Sequence, residues 1–415
     1  MHTLSLRERV GMRGLLTTPH HGRPFATDRR RDTVSSMPPS TEQLVRQIHD
    51  AGTRFIFALS GGGSRAIAEL LELPGASRVV LEVAVPYCEA AMTEWLGARP
   101  DQFCSAATAR AMAMVAYQRA LRYDPSGVPL AGFAATASLA TDRPKRGPHR
   151  VHLAAQTLEV TASRSLELEK GRRTRAEEEH LVTSLVLNLI AEACGLEERL
   201  PLDLLENERM DESRVVAPEP WRDLLLGRTR AIRHGGPPEE RHEPSARAVF
   251  PGAFNPLHVG HRRMAEFARQ LLGVPVELEL SILNVDKPPL DYLEIERRTG
   301  QFDAGQSVWL SRAPTFEEKS CRFPGATFLV GADTLRRIAD PHYYGDDPAA
   351  CRQAIGQIAA RGCRFLVFGR VVEGRFTSLK DLDLPATLRS LCREVPADQF
   401  REDVSSTEIR NLSED

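Results

Sequence analysis

The feature that most constrains this chain is a rhythm: apolar runs of strand length alternate with amphipathic stretches of helix length, twice over, with one interruption. Between about 40 and 196, RFIFAL, SRVVLEVAVPY, PLAGFAATASLA and HRVHLAAQTLEVTASRSL read as strands. TEQLVRQIHDAG, SRAIAELLEL, ATARAMAMVAYQRALR and AEEEHLVTSLVLNLIAEACG read as helices. From 197 to 245 the rhythm fails in ENERMDESRVVAPEP and RHGGPPEERHEPS, whose charge, Pro and Gly suit a linker. After RAVFPG it resumes, with VELELSIL, SVWLSRA, ATFLVGAD and RFLVFGR as strands and HRRMAEFARQLLG, TLRRIA and AACRQAIGQIAARG as helices. The expectation is two α/β domains, 39–196 and 246–415. The second is a Rossmann-like open, mostly parallel sheet with its ligand site at the carboxyl ends of the strands.

Composition narrows the partners. In 415 residues the formal net charge is −2, so no global field draws the chain onto nucleic acid, and any anion site must be local. No run of 18 or more apolar residues suggests a membrane span. Seven cysteines without CxxC spacing argue for reduced thiols in an intracellular, cytoplasmic setting and against a cysteine-rich zinc site. Residues 1–38 are set apart as a targeting or disordered extension, since the first 36 hold seven arginines against three acids; Met37 is an alternative start. Self-association into a homo-oligomer is left open.

The chemistry concentrates in FPGAFNPLHVGHRRM. A buried strand runs into a Gly-containing turn and then a helix expected to begin near Leu257. Gly252 would let a phosphate approach backbone N–H groups, and the helix would aim its positive end at it. His258 and His261, at i and i+3, would share one face of the first turn and could hydrogen-bond phosphate oxygens as charge builds up in group transfer. An inert surface pair is the plainer reading, and half a metal site another, though no third ligand follows at sensible spacing, so no bound metal is expected. At the far end, DVSSTEIRNL places Ser405, Ser406 and Thr407 one turn before Arg410, a second anion cradle or simply a helix cap.

Together the two stretches resemble the HxGH nucleotidyltransferase superfamily. Through GAFNPLHVGH, NVDKPPLD, VGADTLRRIADPHYY and DVSSTEIR the likeness is to nicotinamide and nicotinate mononucleotide adenylyltransferases. It implies that His258 and His261 steady the ATP phosphates and the transition state. Gly252, Phe254, Asp333, Ser405, Ser406, Thr407 and Arg410 would line ATP, Asp333 near the ribose and Ser406, Thr407 and Arg410 at the β and γ phosphates. Asn255, Lys287, Tyr343 and Tyr344 are candidate contacts to the second substrate, with His342 beside the tyrosines. Solvated-loop and packing roles are the alternatives for Lys287 and the tyrosines. The implied reaction is in-line attack of a mononucleotide phosphate on the α-phosphate of ATP, with Mg²⁺ accompanying ATP and without a protein nucleophile. Relatives acting on other phosphate esters share both motifs. A cytidylyl- or adenylyltransferase for such an ester, or a non-catalytic nucleotide-binding regulator, are the competing readings.

In FALSGGGSRAIAELL, Ser60 stands after a strand, with Gly61, Gly62 and Gly63 ahead of a helix. This is either a phosphate-cradling, nucleophile-exposing turn or a packing turn. From here to about 195 the chain resembles the carboxy-terminal domain of the CinA family, nicotinamide mononucleotide amidohydrolases. Ser60, the PGAS of 74–77 and Tyr87 fall at matching intervals, which makes Ser60 and Tyr87 the candidate deamidase residues. The likeness departs where Gly61, Gly62, Gly63 and Ser64 replace Cys-Thr-Gly-Gly, where Met92 stands in the place of a lysine, and where a glycine-rich loop has become TASLATDRPKRG. Without that lysine Ser60 is left near its weak intrinsic nucleophilicity, unless Lys145 or Arg146 substitutes. The function expected is AMP transfer from ATP to nicotinamide or nicotinate mononucleotide with pyrophosphate release, with a deamidase-like domain in front that is either degenerate or, if active, converts the amide to the acid before adenylylation.

Overall fold

A computed structural model describes residues 38–142, 145–235, 248–285, 287–303, 306–372 and 375–402. The amino-terminal half runs α1 (Thr41–Asp50), β1 (Arg54–Ser60), α2 (Arg65–Glu72), β2 (Val80–Ala84), α3 (Glu89–Leu96), α4 (Ala106–Tyr123), β3 (Leu130–Ser138), β4 (His149–Thr157), β5 (Val160–Leu168), α5 (Arg175–Ala193) and β6 (Met210–Val216). Helix starts are marked as capping chemistry dictates. Ser40 with Gln43 and Thr174 with Glu177 form reciprocal capping boxes at α1 and α5. The strands make a six-stranded sheet ordered β2-β1-β3-β4-β5-β6, parallel across β2-β1-β3 and antiparallel from β3 to β6. α1, α2 and α5 cover one face around Phe55, Phe57, Phe133 and Leu153. α3 and α4 cover the other around Ala58, Met112, Ala134 and Ala154.

The carboxy-terminal half adds α6 (Glu219–Leu226), β7 (Ala231–His234), β8 (Ala248–Pro251), α7 (Val259–Leu272), β9 (Val276–Ser281), α8 (Tyr292–Thr299), β10 (Val308–Ser311), α9 (Phe316–Arg322), β11 (Thr327–Gly331), α10 (Ala332–Ile338), α11 (Pro348–Ala360), β12 (Arg364–Phe368), β13 (Arg370–Val372), β14 (Arg375–Thr377), α12 (Ala386–Ser390) and β15 (Cys392–Val395). Its seven-stranded sheet runs β15-β12-β11-β8-β9-β10-β7, parallel throughout except for the antiparallel edge strand β7. The expected α/β class with a Rossmann-like parallel sheet is what the chain adopts. Strand β8 sits at the centre, where the order reverses direction, so its carboxyl end opens onto the crevice where such sheets bind ligands.

The segment expected as a linker carries structure. Residues 210–216 pair with β5 as the edge of the first sheet, 219–226 form a helix, and 231–234 pair with β10 as the edge of the second. The charges of MDESRVV face solvent on an edge strand, which needs pairing on one side only, so its apolar rhythm is faint. One apolar cluster joins Met114 and Tyr117 of α4, Val215 of β6 and Trp221 of α6 to Tyr292 and Ile295 of α8 and to Phe250, Leu278 and Leu310 of the second sheet. The two sheets therefore share a core within one compact unit. Among the described residues no helix is long and apolar enough to cross a membrane.

Candidate functional site

β8 ends at Pro251, and residues 252–257 turn the chain into α7. The Gly252 N–H is already spent on the Glu279 carbonyl at 2.9 Å, so it is not open to a phosphate. What the missing side chain provides is room for Phe254, whose ring would lie 2.6 Å from a Cβ at 252. Phe254 takes φ +45°, a sparse region for a bulky residue. Its ring is 1% exposed and packs edge-on against Phe250, Phe302 and His261. Phe254 thus shapes the turn from the core, leaving only its backbone near the crevice.

His258 is the N-cap of α7 rather than a residue of its first turn, because the helix starts at Val259 and not near Leu257. The pair still meets, with ring centroids 3.8 Å apart. The His258 backbone N–H donates to Nδ1 of His261 at 3.2 Å. A ring nitrogen that accepts carries no proton, so neutral His261 is held as the Nε2–H tautomer. Burial first, then His258 and Arg370, pull the His261 pKa down to about 3. Burial and Arg370 lower that of His258 against the opposing Glu402. Nδ1 of His258 is shielded and finds no hydrogen-bond partner among the described residues. Gly260, one of the two residues between the histidines, leaves room for close approach, since a Cβ there would sit a tight 3.0 Å from the His258 ring.

Arg370 is the site residue that sequence reasoning missed. It opens β13 just after β12, depresses both histidines and hydrogen-bonds Asp333 at 3.3 and 3.4 Å. The available signal was position, a guanidinium directly after the parallel strand RFLVFGR, on the edge where β8 also ends. Asp333 lies in the first turn of α10, between Arg370 and Arg337, which is 3.7 Å away. Glu402 pairs with Arg263 of α7 at 2.8 Å. Ser405, Ser406, Thr407 and Arg410 lie outside the described residues.

The candidate contacts to the second substrate divide. Asn255 accepts a hydrogen bond from Arg297 of α8. Lys287 is exposed in the loop between β9 and α8. The Tyr344 hydroxyl donates to the Ile338 carbonyl at 3.1 Å, and burial raises its pKa to about 12, so that ring is anchored from behind. Tyr343 is half-buried, and His342, exposed, meets it edge-on at 5.4 Å.

The amino-terminal site stands at the matching strand ends. Ser60 closes β1 in register with Thr136 of β3, which faces His152 of β4, which faces Ser165 of β5, a polar row across four strands. His152 Nδ1 meets the Ser165 hydroxyl at 2.7 Å, while burial and Arg150 bring its pKa down to about 4. The Gly61–Gly63 turn is pressed against Ala137, Leu139 and Val182, which is the packing role expected as one alternative. Ser64 donates to Glu179 at 2.8 Å, and Arg175 to the Gly61 carbonyl at 2.9 Å. Tyr87 is 69% exposed. Met92, where the resemblance implies a lysine, is 2% exposed among Ala58, Leu96, Met112 and Ala134. Lys145 reaches the sheet end from the β3–β4 loop, with Nζ 2.7 Å from the Leu139 carbonyl and 3.2 Å from the Ser138 hydroxyl, whereas Arg146 is exposed. Burial, then Arg175, lowers the Lys145 pKa.

With this geometry in view, comparison with known proteins gives two results. Residues 249–298, which contain the β8–α7 turn and α8 up to Arg298, match the model of the cytidylyltransferase-like family. Among solved structures the chain is similar, over its amino-terminal part, to a competence/damage inducible protein from Agrobacterium tumefaciens, at 23% identity and TM-score 0.31 over 38% of this chain and 98% of that one. It is also similar to a competence or damage-inducible protein from Enterobacter asburiae, at 16% identity and TM-score 0.30 over 38% and 98%. A competence damage-inducible protein A from Klebsiella pneumoniae gives 17% identity and TM-score 0.29 over 38% and 96%. No curated protein matches the chain. The carboxy-terminal part thus carries a cytidylyltransferase-like, Rossmann-type domain, which points to nucleotidyl transfer.

Proposed function

We propose that the carboxy-terminal half transfers AMP from ATP to nicotinamide or nicotinate mononucleotide and releases pyrophosphate. The observation that carries nucleotidyl transfer is the histidine pair at the start of α7, with His261 fixed by the His258 N–H as an Nε2–H donor. A phosphate at the crevice would meet that donor, the positive end of α7 and the Arg370 guanidinium at once. A phosphate oxygen of the mononucleotide attacks the α-phosphorus. The new P–O bond forms as the bond to the bridging oxygen breaks, and pyrophosphate leaves with that electron pair. Negative charge migrates toward the leaving group, where N–H and guanidinium donors lower the barrier by position alone. Among the described residues no cluster of three or more His, Cys, Asp or Glu could hold a metal ion. Mg²⁺ would arrive with the nucleotide, since this ion commonly keeps its waters and binds through substrate phosphates, where it neutralises charge.

The pyridine substrate rests on the likeness of GAFNPLHVGH, NVDKPPLD, VGADTLRRIADPHYY and DVSSTEIR to the adenylyltransferases of that substrate. A second reading, cytidylyl transfer to another phosphate ester, is favoured by the family matched at 249–298. For the amino-terminal half we propose a degenerate deamidase-like domain, because Met92 fills an apolar cluster where a lysine is implied.

Mass-spectrometric product analysis tests all of this. The protein is incubated with Mg-ATP, or Mg-CTP, and the amide or acid mononucleotide. The expected product from ATP and the amide is NAD without its deamidated counterpart. Deamidated dinucleotide from the amide substrate would overturn the silent first half. Cytidylyl products, or none from either mononucleotide, would overturn the adenylyl assignment.

A further inference from the structure

The turn that carries the histidines is held by α8 as well as by the Phe254 ring. Arg297 of α8 donates to the Asn255 side chain, and Arg298 Nη1 to the Ala253 carbonyl at 2.9 Å. Gln301, just past α8, donates to the Phe254 carbonyl at 2.9 Å and accepts the Leu257 N–H at 2.8 Å. α8 is thus the template on which residues 253–257 are laid. Glu294 aims both arginines, bonding Arg297 at 2.6 Å and Arg298 at 2.8 Å. Although burial raises the Glu294 pKa, these two guanidinium partners bring it down to about 2, so the carboxylate stays charged.

What holds α8 is the other half of the chain. Arg110 of α4 donates to the N-cap carboxylate Asp291 at 3.0 Å and lies 3.8 Å from Glu294, with side chains only 16%, 9% and 15% exposed. The Tyr292 N–H donates to the Thr161 hydroxyl of β5 at 3.0 Å, and the Tyr292 hydroxyl to the Leu158 carbonyl at 2.7 Å. Asp291 meanwhile caps α8 through the Glu294 N–H at 2.9 Å. A continuous chain of charge and hydrogen bonds therefore runs from Arg110 through Asp291 and Glu294 to Arg297 and Arg298, and so to the turn before His258.

We propose that Arg110 is a positioning residue for the nucleotidyl-transfer site, and that the amino-terminal half serves that site by locking α8, and with it the histidine-bearing turn, in its working geometry. This rests on nucleotidyl transfer as the reaction but not on which phosphate ester accepts. It gives the first half a function even where Ser60 does no chemistry. Misplacing catalytic groups by about 1 Å can cost about 100-fold in rate, so a remote clamp of this kind has leverage.

The test uses the full chain with Arg110→Ala, Arg110→Lys and Asp291→Asn. The asparagine can still cap α8 but removes the charge that Arg110 grips, so it decides the matter if Arg110→Ala does not fold. With Mg-ATP and nicotinate mononucleotide, Arg110→Ala and Asp291→Asn should lose about 10- to 100-fold in kcat with KM within about twofold, and Arg110→Lys should recover part of the loss. Amide hydrogen exchange across residues 253–261 should quicken about tenfold while β1 and β3 keep native protection. Native turnover in the folded variants, or faster exchange of the turn with kcat unchanged, overturns the proposal. If the unaltered protein releases no pyrophosphate with any mononucleotide, the substrate reading fails by itself. The exchange measurement then decides the clamp alone, and unchanged protection of residues 253–261 overturns it.

Discussion

After β1 and after β8 the chain does the same thing: a buried strand ends at the carboxyl edge of its sheet, a glycine-bearing turn reverses it, and a helix begins. The two turns are furnished differently. Beyond β8 the helix start holds two touching imidazoles with one tautomer fixed, and a guanidinium arrives from the end of β12, two strands away. Beyond β1 the glycines are consumed by packing, the nearby hydroxyls and cations bond to one another, and Met92 occupies an apolar cluster. Equal topology thus offers equal opportunity for a site. Whether donors are left facing the crevice or tied up within the fold is settled by individual side chains.

The sharpest way to break this contrast is His258→Ala. Pyrophosphate release should fall about 10²–10³-fold with the thermal midpoint little changed, as for loss of one transition-state donor. Near-native turnover would make the second turn as idle as the first. Next comes Met92→Lys, which inserts an amine into the cluster of Ala58, Leu96 and Met112. The cost should be about 3 kcal/mol in urea unfolding, with no gain of deamidated product. A well-tolerated lysine that brings deamidation back would reduce the difference between the halves to one residue. Arg370→Ala should slow turnover about tenfold and raise the pKa of both histidines, since the guanidinium depresses each; the histidine ring resonances in NMR titration report this.

A smaller effect is expected for Tyr344→Phe, which loses only the bond to the Ile338 carbonyl. It should cost about 1 kcal/mol of stability and leave KM for the mononucleotide unchanged. A raised KM would instead place that tyrosine on the substrate. A further expectation concerns pH. His152 and His261 have folded-state pKa values of about 4 and 3, below the ordinary 6.5 of an unfolded histidine. Below pH 6.5 the unfolded chain binds more protons than the folded one, so stability falls as pH drops from about 6.5 to 4.5, above the range of most carboxylates. His152→Gln should flatten that slope in thermal midpoints measured across the window.

Much of this architecture was legible in the residues. TEQLVRQIHDAG, RFIFAL and AEEEHLVTSLVLNLIAEACG announce α1, β1 and α5 because period and capping are local, and GAFNPLHVGH marks the histidine turn without help from elsewhere. The stretch 197–245 was opaque because β6 and β7 are edge strands, held by partners in β5 and β10 rather than by their own apolar pattern. Gly252 and Phe254 were recognisable as special, but their roles as seat and wedge depend on side chains that meet only in space.

The sequence by itself determined most of the α/β elements, their grouping into two α/β halves and the motif-bearing turn, since each is encoded within a window of a dozen or so residues. Only the tertiary structure decided that the Arg370 charge lowers the pKa of both histidines, that His261 keeps its proton on Nε2, and that Arg110, 181 residues before Asp291, grips the helix on which the turn rests. The reason is physical. Such contacts are set by strand order and by a core shared between the halves, and no local propensity reports which distant residues these will bring within hydrogen-bonding reach.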